Sequence, residues 1–448
     1  MTGTDVASVV AKLAARPVAP HSRDSARVRL ADTVFAALVG VRTRPGQAST
    51  ALAESMYGTS GSLAGLLFRA VAAIRMTEID DIDLPSCTTP GSVVIPVVLA
   101  LAAHELVADA AGAGLDRVLE VIAHGYDLVT GLGEAIDGPA RLAEGIWPTL
   151  AVAPVSAAAI AGLLLGFDDA QLARAVTLAG FSRQDGNPRG NARETMLAGS
   201  VVAGVQAALS VRHGIAVAAR GSEVPFAGLL RAVPGTGGPT AVGRPAIKHF
   251  CSARQVMTAV TAVRSLTHNG PAGPVIVEVP PAYAAMIDKP VVASRRESLA
   301  SAQYQLAAAL LDPDRLLDVG RDDLRLDDGF RAAMGRISVR AAEDLRAAYP
   351  RQWPARVRAS AGGLDRAALA GAVPGEAECS LPALERKFAA FAATSGAPGP
   401  RLAGEVIDRA AAGTSLRDLR ALSCLLIHEE AQGGRAPDAS VKGLPDDG

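Results

Sequence analysis

The stretch Thr77-Glu78-Ile79-Asp80-Asp81-Ile82-Asp83-Leu84-Pro85-Ser86-Cys87-Thr88-Thr89-Pro90-Gly91-Ser92-Val93-Val94-Ile95-Pro96 decides how the rest of the chain reads. Four carboxylates, Glu78, Asp80, Asp81 and Asp83, crowd into six residues. Crowded carboxylates repel, so a fold keeps them together only where a cation, water or substrate compensates. A solvated acidic turn before a helix is the plain alternative. Against it, the acids alternate with Ile79 and Ile82, and the small hydroxyl and thiol residues of Ser86 to Thr89 run straight into an apolar helix. The stretch reads as a loop between helices that borders a cleft.

Working outward, residues 1–270 read as helix after helix. Val28, Leu30, Val34, Phe35 and Leu38 form a 3.6-residue stripe within Ser25–Val41. Leu63–Met76 repeats the pattern, and Gly91 starts a helix that runs to about Ala108. Leu115–Gly131, the nearly all-apolar Ala151–Gly166, Ala170–Gly180 and Leu197–Gly214 follow, with Asp168 placed to cap one of them. Composition changes after Asn269-Gly270-Pro271. Val275–Pro280 is short and β-branched, and Arg336–Arg340 and Ala355–Ala359 are two more strand candidates, with a helix over Leu299–Leu311 between. From Leu381 the chain returns to helices. The expected organisation is a helical domain over 1–270, an inserted α+β domain over 271–392, a helical return over 393–430 and a disordered tail over 431–448, rich in Gly, Pro and Asp. The fold class expected is mainly α, a large all-helical domain with an inserted smaller α+β lid.

Composition sets bounds. The 448 residues are 49% hydrophobic but only 4% aromatic, so the core must be built from Ala, Val and Leu, which suits closely packed helices. A net charge of −1 and scattered arginines give no basic patch for nucleic acid. The four cysteines are far apart, without a C-x-x-C pair, which argues against a zinc site or a disulfide framework and fits a reducing cytosol. The N-terminus lacks a signal-type pattern, and the apolar runs are short or interrupted by Pro96 and His104. A soluble cytoplasmic protein without a membrane anchor is expected.

The acidic stretch resembles the MmgE/PrpD family, which includes 2-methylcitrate dehydratases and cis-aconitate decarboxylases. Members carry an acidic Asp-x-Asp-Asp run, a short loop usually ending in His-Pro, and a helix opening with Val and Pro. Glu78-Ile79-Asp80-Asp81 matches the run with Glu in first place, and Pro90–Pro96 matches the helix start. The order of helical segment, α/β insert and helical return fits the same family. The resemblance implies a cleft between the two domains, homodimers through the helical domain, a small carboxylate substrate and no cofactor or metal.

Such chemistry needs cations for substrate carboxylates, an acid–base pair beside a carbon, and stabilisation of enolate-like charge. Lys248 and Arg254, in Ala246-Ile247-Lys248-His249-Phe250-Cys251-Ser252-Ala253-Arg254, fall on positions similar to the family's Lys-x-Tyr/Phe-Pro-x-x-Arg. Arg193 lies near a second family lysine; pairing with Glu194 or solvent is its ordinary alternative. The imidazoles are where the chain departs. Thr89 stands where the family has the His before Pro90, Trp147 where it has the His of a His-Pro pair, and no His follows between Ala253 and Met257. Thr and Trp do not shuttle protons near neutrality. The candidate catalytic residues are therefore Glu78, Asp81, Lys248, Cys87 and His249; Cys87 as a small buried filler and His249 as a structural histidine are the alternatives. Candidate substrate-binding residues are Asp80, Asp83, Thr88, Thr89, Trp147, Gln184, Arg193, Arg254 and Tyr304. Trp147 makes the pocket more apolar than a citrate-type pocket, which suggests a substrate with fewer carboxylates or with an apolar portion.

Three readings follow. The default is a cofactor-independent lyase of the dehydratase or decarboxylase type with altered substrate or reaction, in a specialised biosynthetic setting. An epimerase, isomerase or cyclase using carboxylate or thiol acid–base chemistry is the runner-up. A non-catalytic ligand-binding relative is the third, favoured by the lost imidazoles and opposed by the retained charge. A helical-repeat scaffold fails for want of a period.

Overall fold

The computed structural model describes residues 6–58, 61–107, 114–184, 186, 192–215, 240–266, 273–319, 324–361, 364–394, 397–411 and 416–428. The tail expected to be disordered lies outside the described residues. The first part is a helical layer: α1 (Val6–Ala14), α2 (Pro20–Val41), α3 (Arg44–Tyr57), α4 (Leu63–Met76), α5 (Gly91–Ala103), α6 (Gly114–Ala135), α7 (Gly138–Ala143), α8 (Pro148–Leu164), α9 (Asp169–Gly180) and α10 (Ala192–Arg212). Local chemistry sets several of the starts. The Thr43 and Ser62 hydroxyls accept from the amides of Gly46 and Gly65 at the heads of α3 and α4. Asp168 and Gln171 form a reciprocal capping box at the head of α9.

The scarcity of aromatic side chains has its counterpart in close helix approach. Helix α8 is buried on nearly every side, between α5, α6, α9 and α10. At Gly204 of α10, an added Cβ would sit 2.3 Å from the Pro154 carbonyl oxygen of α8, so only glycine fits that crossing. Helix α10 is long and apolar enough to cross a membrane, but 56% of its most apolar stretch is buried inside the protein, as in a core helix.

The second layer is a four-stranded sheet, β1 (Val275–Val279), β2 (Ile337–Ala341), β3 (Ala355–Ala361) and β4 (Leu364–Ala370), in the order β2-β1-β3-β4. β1 is parallel to β2 and antiparallel to β3, and β3 and β4 are an antiparallel pair. Val275, Val277 and Val279 alternate inward, as period-2 patterning requires. The helices α11 (Arg254–Leu266), α12 (Pro281–Ile287), α13 (Arg295–Ser298), α14 (Ala302–Leu311) and α15 (Asp328–Gly335) accompany the sheet. The chain then returns to the helical layer through α16 (Leu381–Ala392), α17 (Pro400–Ala411) and α18 (Leu416–His428). The architecture is the mainly helical fold with a smaller α+β unit that the sequence predicts.

Two boundaries and one strand differ from expectation. The division placed at residue 270 falls after α11, yet Val256, Met257, Val260 and Val263 of α11 belong to the core beneath the sheet, and Ala246 and Phe250 join them. The return placed at residue 393 begins at Leu381, because Leu384, Phe388 and Phe391 of α16 pack into the helical core, with Phe388 stacked on Phe35. Strand β4 carries three alanines among its seven residues and little β propensity. Its pairing along β3 supplies what its side chains do not.

Candidate functional site

The site begins where α4 stops. Thr77 ends the helix, and Glu78 reverses the backbone in the left-handed region with φ 57°. A non-glycine residue holds that conformation only when its surroundings fix it. Here the surroundings are cationic. Arg75, one turn earlier on α4, reaches Glu78 Oε1 at 2.9 Å. Arg193 at the head of α10 reaches the same oxygen at 3.1 Å, and Arg296 of α13 at 2.8 Å. Lys248 Nζ donates to Glu78 Oε2 at 2.7 Å. Two further carboxylates complete the cluster. Asp80 is gripped by Arg75 through both oxygens and has Lys248 Nζ 3.9 Å away. Glu194 lies 2.8 Å from Arg296, 3.3 Å from Arg193 and 3.8 Å from Arg75. Trp147 covers one side, its ring centroid 4.3 Å from the Arg193 guanidinium carbon and 5.6 Å from that of Arg75.

The cluster is built from both layers. Lys248 is brought in by a backbone bridge in which Ile82 and Ala246 exchange hydrogen bonds of 3.1 and 2.7 Å. Arg29 secures the same segment by donating to the Val242 and Pro245 carbonyls. Lys248, Asp80 and Glu194 are buried, whereas the side chains of Arg193 and Arg296 keep 18% and 15% of their exposure. The open side of the cluster therefore presents guanidinium groups.

Protonation follows from this placement. Burial works against ionisation of Glu78, but Arg75, Lys248, Arg296 and Arg193 together hold its carboxyl well below the usual range. Burial pushes Asp80 up, against the pull of Arg75 and Lys248. Burial, and next the neighbouring Arg296, bring Arg193 down to about 10. Arg296 is raised instead, because Glu194 and Glu78 outweigh its burial.

The other residues singled out in the sequence fall into three places. Asp81 and Asp83 face away from the cluster. Asp81 accepts from the Gly91 amide at 3.0 Å and the Tyr126 hydroxyl at 2.7 Å, with Arg29 at 3.7 Å, so it anchors the head of α5. Asp83 is tied to Ser86 and, through both oxygens, to Arg244. Thr88 meets the Ser86 hydroxyl at 2.7 Å. Thr89, in the place of an expected imidazole, joins a buried hydroxyl group with Ser92 and Thr149, two residues beyond Trp147. Cys87 contacts the Leu84 carbonyl and the Tyr349 hydroxyl, and burial pushes its thiol up to about 12, which removes it as a thiolate.

The third group lies on the side of the sheet layer. Arg254 forms a two-pronged pair with Glu376 at 2.6 and 2.8 Å. His249 packs against Gly375, burial lowers its pKa, and its Nε2 has no hydrogen-bond partner among the described residues. Tyr304 lies against Phe330 and donates to the Leu324 carbonyl, inside the core beneath the sheet. Gln184 is half-buried two residues before Gly186, whose carbonyl accepts from the Trp147 amide.

Of the residues read from the sequence, the fold thus brings together Glu78, Asp80, Lys248, Arg193 and Trp147. Arg75, Glu194 and Arg296 complete the cluster without having been singled out. Arg75 was open to detection, as an arginine in an apolar helix three residues before Glu78. Arg296 lies 218 residues from Glu78 and carries no local signal.

The family model for the MmgE/PrpD N-terminal domain matches residues 4–237, a span that holds Arg75, Glu78, Asp80, Trp147, Arg193 and Glu194. No curated protein matches the chain in sequence.

Proposed function

Since the chain belongs to the MmgE/PrpD family, whose members are generally lyases, we propose that it is a cofactor-independent lyase of the dehydratase or decarboxylase type acting on a small carboxylate. The observation that carries this reading is the grouping of Arg75, Arg193, Lys248 and Arg296 about one carboxylate, Glu78. A substrate carboxylate meets Arg193 and Arg296 first, since these two keep exposure, and planar guanidinium groups pair with it through two hydrogen bonds.

With the carboxylate so held, the carbon beside it lies near the Lys248–Glu78 pair. Lys248 carries the proton, delivering it to carbon after CO₂ leaves; in a dehydration it protonates the departing hydroxyl group, while the Glu78 carboxylate takes the proton released from the adjacent carbon. Glu78 orients the ammonium group at 2.7 Å. The enolate-like charge that develops in either reaction is met by the same cations, in a site where burial strengthens electrostatics. Asp81, held by the Gly91 amide and Tyr126, positions the loop rather than touching substrate.

A second reading, an epimerase or isomerase, is favoured by the occupants of the two imidazole positions. Thr89 is bound to other hydroxyls and Trp147 stacks with guanidinium, so the acid–base groups left are a lysine and carboxylates, enough to remove and return one proton.

Proton exchange followed by NMR tests both. The protein is incubated in D₂O with a panel of small mono-, di- and tricarboxylates. Deuterium entering at the carbon beside a carboxylate, and no longer doing so in Lys248→Met, is the expected result; the product distinguishes elimination from epimerisation. Binding without exchange across the panel overturns the catalytic reading in favour of a ligand-binding relative.

A further inference from the structure

The charges of the cluster do not balance. Arg75, Arg193, Lys248 and Arg296 contribute four positive charges. Glu78, Asp80 and Glu194 contribute three negative ones. Each of these side chains pairs within the group, and among the described residues no other carboxylate is ion-paired to these four cations. The nearby Lys387–Asp32 and Arg29–Asp81 contacts are each neutral in sum, so they leave the difference standing. One positive charge is surplus, and it is borne on the open side, where Arg193 and Arg296 are partly exposed.

Buried charge is tolerated only when it is compensated. A ligand with one carboxylate brings the cluster to neutrality. One with two leaves a net negative charge in a largely buried site, and one with three leaves two. Trp147 adds an apolar wall beside Arg193, where a third carboxylate would find no donor among its ring atoms other than the indole N–H.

From this we infer that the site selects monocarboxylates over di- and tricarboxylates, the ligand carrying a single carboxylate to Arg193 and Arg296 and an apolar or unsaturated remainder to Trp147. The inference rests on the carboxylate site of the preceding subsection and fixes its charge. It makes Glu194 a specificity-determining residue: its carboxylate sets the surplus at one without lying on the Lys248–Glu78 pair.

Crotonate, fumarate and trans-aconitate share an unsaturated core and carry one, two and three carboxylates. Titration calorimetry of the full chain at pH 7.5 with each gives the ratio of their Kd values. Crotonate is expected to bind at least tenfold more tightly than fumarate, and trans-aconitate more weakly still. In Glu194→Gln the surplus rises to two, and the order is expected to reverse in favour of fumarate by a similar factor. In Arg296→Gln the surplus vanishes, and crotonate is expected to lose at least tenfold. Thermal unfolding of each variant with and without ligand reports folding independently, since a ligand that binds raises Tm. Preference of the natural chain for fumarate or trans-aconitate, or an unchanged ratio in a folded Glu194→Gln, overturns the inference and leaves the carboxylate site intact. Failure of all three to bind the natural chain overturns both.

Discussion

Glu78 occupies a backbone position that glycine would hold at less cost. Its φ of 57° is disfavoured for a residue with a Cβ, by about 1 kcal/mol, and is maintained by the cations that converge on its side chain. The charge balance gives an asymmetric expectation for two substitutions. Glu78→Gln leaves four cations facing two carboxylates, whereas Lys248→Met leaves three facing three. Breaking a buried pair so that charge is stranded costs about 3–5 kcal/mol. Urea unfolding is expected to show a loss in that range for Glu78→Gln and less than half of it for Lys248→Met, while proton exchange disappears in Lys248→Met. Equal losses in the two variants would mean that packing, not charge, governs the cluster. At this scale the sequence was readable where chemistry is local. The acidic run, Lys248 and Trp147 stand in recognisable neighbourhoods. Which carboxylate meets the cations was not readable, because Asp80 and Asp81 are adjacent in sequence and point to different partners, Arg75 in one case and Gly91, Tyr126 and Arg29 in the other.

The loop from Thr77 to Pro90 and the helix α5 that follows form the element on which the site depends, and Asp81 is the joint between them. The packing there is close: a Cβ on Gly91 would lie 2.6 Å from the Thr33 hydroxyl and 2.9 Å from Asp81 Oδ1. Burial raises the Asp81 carboxyl to about 6, although Arg29 and Tyr126 pull it down. A carboxyl whose pKa is higher in the folded chain than in the unfolded one adds stability at pH values below the unfolded pKa. That contribution is lost as the pH rises through the folded value. The window here is from 3.8 to about 6. A shift of about two units corresponds to about 3 kcal/mol. Asp81→Asn cannot ionise, so its Tm relative to the natural chain is expected to climb as pH goes from 4 to 7, with most of the climb between 4 and 6. A difference in Tm that is flat over this range would show that Asp81 does not titrate there. The surrounding helices were legible from their apolar period and their capping residues. The ownership of α11 was not, since its buried stripe is compatible with either layer until the sheet is placed. Strand β4 was not either, for its alanine-rich sequence has no strand preference of its own.

Taken whole, the molecule is two layers meeting at one acidic loop. Lys248 and Arg296 reach Glu78 from the side of the sheet, Arg75 and Arg193 from the helical side, and Lys387 donates to the Ile79 carbonyl from the returning helix α16. Glu78 is thus the negative charge that lets cations of both layers share a small space. Its folded pKa is depressed, so its contribution is complete above the ordinary value of 4.5 and is lost as the pH falls through the lowered value. Asp81 has delivered its own gain once the pH reaches its ordinary value of 3.8, so below 3.8 the loss of Glu78 has less to offset it. Once Glu78 is neutral, the four cations repel across the contact between the layers, and that contact should open before either core melts. The two tryptophans are placed to distinguish these events. Trp147 lies on the cluster against Arg193, whereas Trp353 is buried among Tyr283 and Tyr349 beneath the sheet and donates to the Pro350 carbonyl. In an acid titration, the fluorescence of Trp353→Phe, which reports Trp147, is expected to change at a higher pH than that of Trp147→Phe, which reports Trp353. Adding salt screens the repulsion between the partly exposed guanidinium groups and is expected to bring the two transitions closer. Coincident transitions at low salt would show that the layers separate and melt as one unit, and that the cluster at Glu78 is not the contact that yields first.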